Sequence, residues 1–389
     1  MSSCKIYPPT QKTAGYVCGS PLLNMIPLFE HYPLLKDKLP YVSLGEFPTP
    51  VQRLNRLGAA IGVDQLYVKR DDLSGKLYGG NKVRKLEFLL GDALQSGVRD
   101  VLTFGNAGSN HALATAIYTK GVGLKCISML LPQINAFYVR RNLLMSQYYG
   151  AELHHYRNLR LLALGTKYQL LRHRLKYGQF PQIIHIGGTS ALGAIGYVNA
   201  AFELKEQIME GKIPEPDRIY VAAGTMGTSV GLILGLKVID LKSRVISILI
   251  VNDKINLDEM AKLFYETNSL LHSQGSSFPE CEFRPEDEEV RGEFFGKGYA
   301  QFTEEGMEAV ALMEKNEGIK LDGTYTGKAL AALIHDAKKQ DLRDKVILFW
   351  NTYNSIDLSD IVNRLDYRCL PRSLHRYFEE DVQPLDRHF

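Results

Sequence analysis

Short apolar runs alternate along the chain with windows in which apolar residues recur every three or four positions. The runs predict buried strands at 101–104, 125–131, 218–223, 244–251 and 345–350. The windows predict helices near 109–120, 136–149, 193–210, 228–238, 256–273 and 327–338. This alternation is typical of parallel sheets flanked by helices in an α/β fold. The ends are less periodic, and the polar stretch 378–389 is expected to be a surface tail.

Composition narrows the class of protein. The chain has 389 residues, of which 45% are hydrophobic and 23% charged, so it is long enough for two or three domains or one large two-lobed unit. A net charge of +3 and no dense basic run argue against a nucleic-acid partner. No apolar run approaches the roughly 18 residues of a membrane span. The N-terminus also lacks the apolar core of a secretory signal.

The cysteines and metal-ligand residues give no site. Five scattered cysteines without a CxxC pair support neither a zinc site nor a disulfide framework. We therefore expect no metal and a reducing, cytoplasmic setting.

The stretch YGGNKVRKLEFLLGDALQSG, residues 78–97, places Lys82 at the start of a helical pattern. A helix N-terminus already carries about half a positive charge, so a lysine gains nothing from the helix dipole there. Either the Lys82 amine is simply solvated, or it is kept uncharged and reactive.

Other loops join strands to helices, where open α/β sheets bind ligands. In FGNAGSNHALATA (104–116), Ser109, Asn110 and His111 open a helix and suit a carboxylate, although a simple N-cap is the plainer interpretation. In AAGTMGTSVGLILG (222–235), the glycines and threonines suit a phosphate, although a plain turn has the same appearance. The turns 187–190 and 323–326 are either helix caps or ligand loops.

A reactive lysine together with a phosphate cradle indicates a phosphorylated aldehyde held as a Schiff base, namely pyridoxal 5'-phosphate. The motif GGNKVRKLE at 79–87 and the segments 47–58 and 346–354 resemble pyridoxal-phosphate enzymes of the tryptophan-synthase-β-like fold, also called fold type II. Within them, the chain is most similar to D-cysteine desulfhydrase and 1-aminocyclopropane-1-carboxylate (ACC) deaminase. The resemblance covers about four-fifths of the chain.

The resemblance implies a role for each matching residue. Lys82 would form the Schiff base, and Lys85 would approach the cofactor phosphate. Ser109 would stand at the substrate amine and α-carbon, and Asn110 would bond the ring hydroxyl. The implied phosphate loop is Gly224, Thr225, Met226, Gly227 and Thr228, with Met226 in place of a usual glycine. Four residues would face the substrate, namely Tyr299, Tyr325, His111 and Thr352. Thr326 would meet the pyridine nitrogen.

The resemblance also implies the domain organisation. A small domain, 85–195, would be inserted into a large cofactor-binding domain, 1–84 and 196–389, and the protein would be a homodimer. This chain departs from the family where H-[TL]-G-G is usual, because it has Asn351, Thr352, Tyr353 and Asn354. That change is expected to reshape the pocket.

Three functions are compatible with these residues. The favoured one is β-elimination from a small amino acid, giving pyruvate, sulfide and ammonia from D-cysteine. The alternatives are ACC deamination, or another reaction such as racemisation, and a cofactor-binding protein with lost turnover. Thr326 and Thr352 favour D-cysteine, because the resemblance implies Glu and Leu there in ACC deaminases. An uncharged hydroxyl at Thr326, expected to donate to an unprotonated ring nitrogen, would make the ring a weaker electron sink.

Overall fold

The computed structural model describes residues 25–251 and 257–387. Its helices are α1 (Pro27–His31), α2 (Leu34–Lys38), α3 (Asn55–Ile61), α4 (Lys82–Gln95), α5 (Asn110–Gly121), α6 (Phe137–Tyr148), α7 (Leu159–Tyr177), α8 (Ala191–Met209), α9 (Gly227–Val238), α10 (Leu257–Gln274), α11 (Glu304–Glu317), α12 (Thr326–Lys339), α13 (Ser359–Val362) and α14 (Arg376–Glu379). Its strands are β1 (Val51–Arg53), β2 (Gln65–Lys69), β3 (Asp100–Asn106), β4 (Lys125–Leu131), β5 (Glu152–His155), β6 (Gln182–Ile184), β7 (Arg218–Ala223), β8 (Arg244–Leu249), β9 (Glu288–Arg291) and β10 (Val346–Trp350).

Contacts divide the described chain into two compact units. The smaller unit holds 89–188 and 357–387, and the larger unit holds 25–88 and 189–356. The sheet of the smaller unit has the order β5-β4-β3-β6, and its pairs are all parallel. The sheet of the larger unit has the order β1-β2-β10-β7-β8-β9, and only β1 runs antiparallel to its neighbour. The predicted α/β fold with parallel sheets is confirmed.

Close packing of α8 on α9 fixes the centre of the larger unit. A Cβ atom on Gly231 would lie 2.4 Å from the carbonyl oxygen of Ala194, and one on Gly235 would lie 2.5 Å from Cβ of Ala201. The two helices approach this closely because α9 presents glycines at four-residue spacing. This packing sets the position of the first turn of α9, which follows β7.

The C-terminal part of the chain differs from the simple tail that its polarity predicted. Residues 357–387 belong to the smaller unit. Tyr377 and Val382 are buried. Cys369 is disulfide-bonded, although the scattered cysteines were expected to support no disulfide. The predicted domain limits, 85–195 within 1–84 and 196–389, stay a prediction.

None of the helices in the described ranges is long and apolar enough to cross a membrane.

Candidate functional site

Lys82 is the first residue of α4 in the larger unit, as the sequence predicts. Burial lowers the pKa of its amine from 10.5 to about 8. About a tenth of the amine is therefore uncharged at pH 7, far more than for an ordinary lysine, and the uncharged amine is the form that attacks an aldehyde. The Lys82 amine is therefore buried and not simply solvated, and burial dominates its environment.

The turn before Lys82 is fastened to the turn that follows β10. The side-chain oxygen of Asn354 accepts the N–H of Gly79 at 2.6 Å, and the carbonyl of Thr352 accepts the N–H of Asn81 at 3.2 Å. Gly80 has a φ of +94°, and a Cβ there would lie 2.8 Å from the carbonyl oxygen of Thr352. Gly80 is thus needed both for its backbone conformation and for the close approach of the two turns.

Arg84, two residues after the lysine, belongs to a buried network of charges. Its guanidinium donates to Asp71 at 2.8 Å and to Glu203 at 2.9 Å, and Glu203 also accepts from Lys69 at 2.5 Å. Burial alone would raise the pKa of Glu203, but Arg84 and Lys69 outweigh it and lower that pKa to about 2. Asp71 further accepts from Trp350 Nε1 at 2.7 Å. The start of α4 is therefore anchored to β2, β10 and α8.

Lys85 lies beside a group of threonine hydroxyls and the first glycine of α9. Its Nζ is 3.4 Å from Oγ1 of Thr189, which is 2.6 Å from Oγ1 of Thr225. A Cβ on Gly227 would lie 2.9 Å from both Lys85 Nζ and Thr189 Oγ1. Burial, and after it the charge of Lys82, holds the pKa of Lys85 well below its usual range. A bound anion would favour the charged amine there.

The first turn of α9 has the features of an anion site. Its N-cap is Met226, which makes no side-chain capping hydrogen bond, whereas Ser190 caps α8 and Thr303 caps α11. Backbone N–H groups at such an end, together with the helix dipole, attract a phosphate. Met226 has a φ of +60°, in the left-handed region that favours glycine. The loop therefore adopts the backbone conformation that the usual glycine would adopt, although a residue with a Cβ is strained there.

Two tyrosines and a threonine complete the cluster in the larger unit. The hydroxyls of Tyr299 and Tyr325 are 2.6 Å apart, and burial raises the pKa of Tyr299. The Tyr325 ring lies 3.8 Å from the position of a Cβ on Gly224, so it borders the glycine-rich loop. Asn81 Nδ2 donates to Oγ1 of Thr228 at 3.2 Å, which joins the lysine turn to the same loop.

Thr326 is buried at the start of α12, but its hydroxyl hydrogen is already committed. It donates to Oδ1 of Asp322 at 2.7 Å, and its oxygen accepts the N–H of Asp322 at 2.9 Å. Thr326 therefore offers an acceptor, rather than the donor that the sequence analysis assumed. The same carboxylate oxygen also accepts the N–H groups of Tyr325 and Thr326, which fixes the turn.

In the smaller unit, Ser109 and Asn110 open α5. Ser109 Oγ accepts the N–H of Ala112 at 3.1 Å, so the simple capping role is present. Oδ1 of Asn110 accepts from Nδ2 of Asn142 at 2.9 Å, and that Nδ2 also donates to the carbonyl of Gly108. The side-chain oxygen of Asn110 therefore faces Asn142.

A second chain of hydrogen bonds holds the same loop from the C-terminal part. The Tyr377 hydroxyl accepts the N–H of Gln133 at 3.1 Å, and Oε1 of Gln133 accepts the N–H of Gly108 at 2.8 Å. His111 Nε2 lies 3.0 Å from Oγ1 of Thr103, which donates to a carbonyl oxygen, so the imidazole donates to Thr103. This contact gives His111 a structural role inside the smaller unit.

The structure thus brings the predicted residues of the larger unit into one cluster around Lys82, Lys85 and the first turn of α9. Sequence reasoning assigned no specific role to three of its members, Thr189, Asn354 and Asp322, although it raised the turn 187–190 as a candidate ligand loop and named Asn354 in the altered turn 351–354. A weak signal existed for two of them, because Thr189 lies in a Gly-Gly-Thr-Ser turn and Asp322 precedes Thr326 by four residues. The roles of all the predicted site residues stay predictions.

The chemistry of these groups fits pyridoxal phosphate. A buried amine of lowered pKa suits its aldehyde, and a second amine, threonine hydroxyls and an uncapped helix start suit its phosphate. No group of three or more metal-ligating side chains is found among the described residues.

Comparison with known proteins agrees with this chemistry. The model of the family "Pyridoxal-phosphate dependent enzyme" matches residues 42–352. A Pyrococcus horikoshii protein, named as a candidate 1-aminocyclopropane-1-carboxylate deaminase, is 36% identical over 80% of this chain and 91% of its own length. A D-cysteine desulfhydrase of Serratia proteamaculans is 32% identical over 82% of this chain and 96% of its own. A solved structure of an ACC deaminase homologue superposes with a TM-score of 0.71 at 33% identity, covering 85% of this chain and 97% of that one.

Proposed function

Because the chain belongs to the family of pyridoxal-phosphate-dependent enzymes, we propose that it eliminates the β-substituent of a small D-amino acid, with D-cysteine preferred. The reaction converts D-cysteine and water into pyruvate, hydrogen sulfide and ammonia. The observation that carries this choice is the uncharged Thr326 hydroxyl at the start of α12. The named relatives support the group of reactions, and the choice of D-cysteine over ACC is the proposal.

The bound cofactor supplies an electron-withdrawing ring that makes the substrate α-proton acidic and lets a β-substituent leave. The residues of the chain do the rest. Lys82, with a pKa near 8, exchanges between a neutral amine that takes a proton and an ammonium that returns it. Ser109 orients the substrate amine. Asn110 would bond the ring hydroxyl of the cofactor, as the resemblance implies.

Thr326 sets the strength of the electron sink in this proposal. Its hydroxyl donates to Asp322 and accepts the N–H of Asp322, so toward the ring nitrogen it would offer one acceptor lone pair and no formal charge. A neutral acceptor favours the protonated ring nitrogen less than a carboxylate does. A carboxylate there would favour a protonated ring nitrogen and a stronger sink. Opening a cyclopropane needs the stronger sink, because a carbon–carbon bond must break, whereas expulsion of a thiolate does not.

Purified holoenzyme should be given D-cysteine, L-cysteine, β-chloro-D-alanine and ACC in parallel. Pyruvate, sulfide and 2-oxobutyrate are the products to measure. We expect pyruvate with sulfide from D-cysteine, pyruvate from β-chloro-D-alanine, and little 2-oxobutyrate from ACC. The Lys82→Ala protein is the blank. A clear preference for ACC would reject the proposal and favour the deaminase that the solved relative represents.

Two variants test the observation itself. Thr326→Ser keeps the hydroxyl and should keep the ratio of the D-cysteine to the ACC rate. Thr326→Glu introduces a charge and should lower that ratio. If Thr326→Glu leaves that ratio unchanged, Thr326 does not set the substrate preference, whichever substrate the wild type prefers.

We also propose a homodimer, as the resemblance implies, and a cytoplasmic location, which is the expectation from the scattered cysteines. Sedimentation of the purified protein and fractionation of cells are the corresponding measurements.

A further inference from the structure

Helix α7 of the smaller unit exposes a regular row of apolar side chains. Leu161, Leu164, Tyr168, Leu171 and Leu175 follow one another at alternating steps of three and four residues. Their exposed fractions are 43%, 64%, 62%, 55% and 78%, in that order. Steps of three and four residues place them in one narrow stripe along the helix, the pattern of the seam of a coiled coil.

The inner face of α7 is polar where it is most buried. His173 Nδ1 lies 3.0 Å from Oδ2 of Asp100, and Gln169 is also buried. Asn158 caps the first turn of the helix, and Gly178 ends it in a left-handed conformation. The unit therefore holds α7 by its other side, and local caps end the helix at Asn158 and Gly178. The exposed apolar row is not needed for that attachment, so its exposure needs another explanation.

Charge flanks the row on both sides. With Leu161, Tyr168 and Leu175 at heptad position a, and Leu164 and Leu171 at d, the g positions are Arg160, Lys167 and Arg174, and one e position is Arg172. The segment 159–177 contains no Asp or Glu. Arg172 pairs with Glu152 in the same unit and Arg174 donates to the carbonyl of Gly178, but Arg160, Lys167 and Arg174 are all exposed.

We propose that α7 is a docking surface for an acidic amphipathic helix of another protein. That helix would place apolar residues in the row and Glu or Asp beside Arg160, Lys167 and Arg174. The pairing of opposite charges at flanking positions sets partner choice in coiled coils. Because the scaffold already holds α7, only the partner has to be ordered on binding, so a contact of about two heptads is sufficient.

The charges decide between this partner and two others. A second copy of α7 would bring basic flanks against basic flanks, which disfavours self-pairing. An anionic lipid surface suits basic side chains, but lipid-bound helices present a broad apolar face, whereas this row has the width of a seam. The docking proposal stands on α7 alone and is independent of the proposed reaction.

Two designed peptides of three heptads provide the test, both with leucine at a and d. One has glutamate at e and g, and the other has lysine there. Fluorescence anisotropy of each labelled peptide against the full-length holoenzyme measures binding. We expect the glutamate peptide to bind in preference to the lysine peptide, and its affinity to fall as salt is added.

Variants of α7 locate the binding. The double variant Leu164→Gln and Leu171→Gln should weaken the glutamate peptide by about 10-fold or more, since two buried leucines are lost. Reversal of charge by Arg160→Glu, Lys167→Glu and Arg174→Glu should transfer the preference to the lysine peptide. Leu34→Gln and Met209→Gln remove equally exposed apolar residues of the larger unit and should change nothing.

Several outcomes would overturn the proposal. Equal binding of the two peptides, or binding unaffected by the leucine variants, would do so. Leucine-dependent binding to phosphatidylserine vesicles in place of the peptide would assign α7 to membranes. A dimer that dissociates in the leucine double variant, with no peptide bound, would assign it to a second copy. Unchanged turnover and circular dichroism in each variant establish that the fold is intact.

Discussion

The side-chain oxygen of Asn354 lies 2.6 Å from the backbone nitrogen of Gly79 and accepts its hydrogen bond, three residues before Lys82. Both groups are buried. Asn354 stands where the resemblance implies a glycine, so this chain fastens its lysine turn with a side chain that the usual glycine lacks. The altered turn 351–354 is therefore a support for the turn that carries the lysine.

Replacing Asn354 by alanine should weaken both the fold and the turnover. The Gly79 N–H would be left buried without its acceptor, at a cost of about 1–3 kcal/mol. Urea unfolding of the cofactor-free protein measures that loss, and kcat should fall because the lysine turn is no longer held. Asn354→Asp keeps the acceptor for Gly79 and should recover most of both quantities. Equal stability of the wild type and Asn354→Ala would show that the contact contributes nothing.

The cofactor should be attached to Lys82 and not to Lys328. Burial lowers the pKa of both amines to about 8, so their pKa values do not distinguish them. Nζ of Lys328, however, donates to the carbonyl of Phe295 at 2.6 Å and faces that residue's ring. Borohydride reduction followed by peptide mapping should label Lys82. Label on Lys328 or on Lys85 would refute the assignment, and Lys82→Ala should lose the visible absorption band while Lys328→Met keeps it.

Burial of Lys82 should also appear in the pH dependence of stability. The unfolded lysine has a pKa of 10.5, and the folded one has a pKa of about 8. Between these values the unfolded chain binds more protons, so the free energy of unfolding rises with pH, by up to about 1.4 kcal/mol per pH unit for one group. Denaturant titrations of the cofactor-free protein from pH 7 to 11 should show a steeper rise in the wild type than in Lys82→Met. Parallel curves would mean that the Lys82 amine is well solvated.

Two strands that position the site, β7 and β10, are predicted from their apolar runs, whereas β2, which also anchors the start of α4, is not predicted. The run 125–131 is predicted as a strand and is β4, with the same limits. Helix α7 is missed, although its apolar residues recur every three or four positions, and the residues that it buries most, Gln169 and His173, are polar. An amphipathic pattern shows where apolar residues lie on a helix, and it does not show whether the protein or a partner covers them.

Residues of the site were predictable to different degrees for a physical reason. Lys82 and Gly227 belong to local turns, so their spacing alone carries the information. Asn354 reaches Gly79 across 275 residues, and nothing in either segment announces the contact. The Asp322 contact to Thr326 spans four residues, but the sequence alone did not show that the hydroxyl hydrogen would be used there.

Ser109 should prove to be more than the cap of α5. Ser109→Ala is expected to keep the visible band and to cut turnover by about 10²-fold, the size of a lost acid–base group. It also removes a cap worth about 1 kcal/mol, since Ser109 Oγ accepts the Ala112 N–H. Thr303→Ala removes an equivalent cap from α11 and is the matched control, with similar loss of stability and normal turnover. Equal turnover in the two variants would reduce Ser109 to a helix cap.

The strained backbone at Met226 gives the last prediction. Its φ of +60° costs a residue with a Cβ about 1–2 kcal/mol, whereas glycine adopts it freely at the expense of some chain entropy. Met226 also packs against the core of the larger unit, so a comparison of glycine with methionine would mix two effects. Glycine and alanine at this position both lack that packing, and they differ in the Cβ. Met226→Gly should therefore be more stable than Met226→Ala by about 1 kcal/mol in urea unfolding. It should still bind the cofactor, because the donors at the start of α9 are backbone N–H groups.

Asp240, exposed and with a φ of +55°, provides the reference pair, and Asp240→Gly should likewise be more stable than Asp240→Ala. If alanine were the more stable residue at 226 and glycine at 240, the left-handed conformation of the phosphate loop would be excluded.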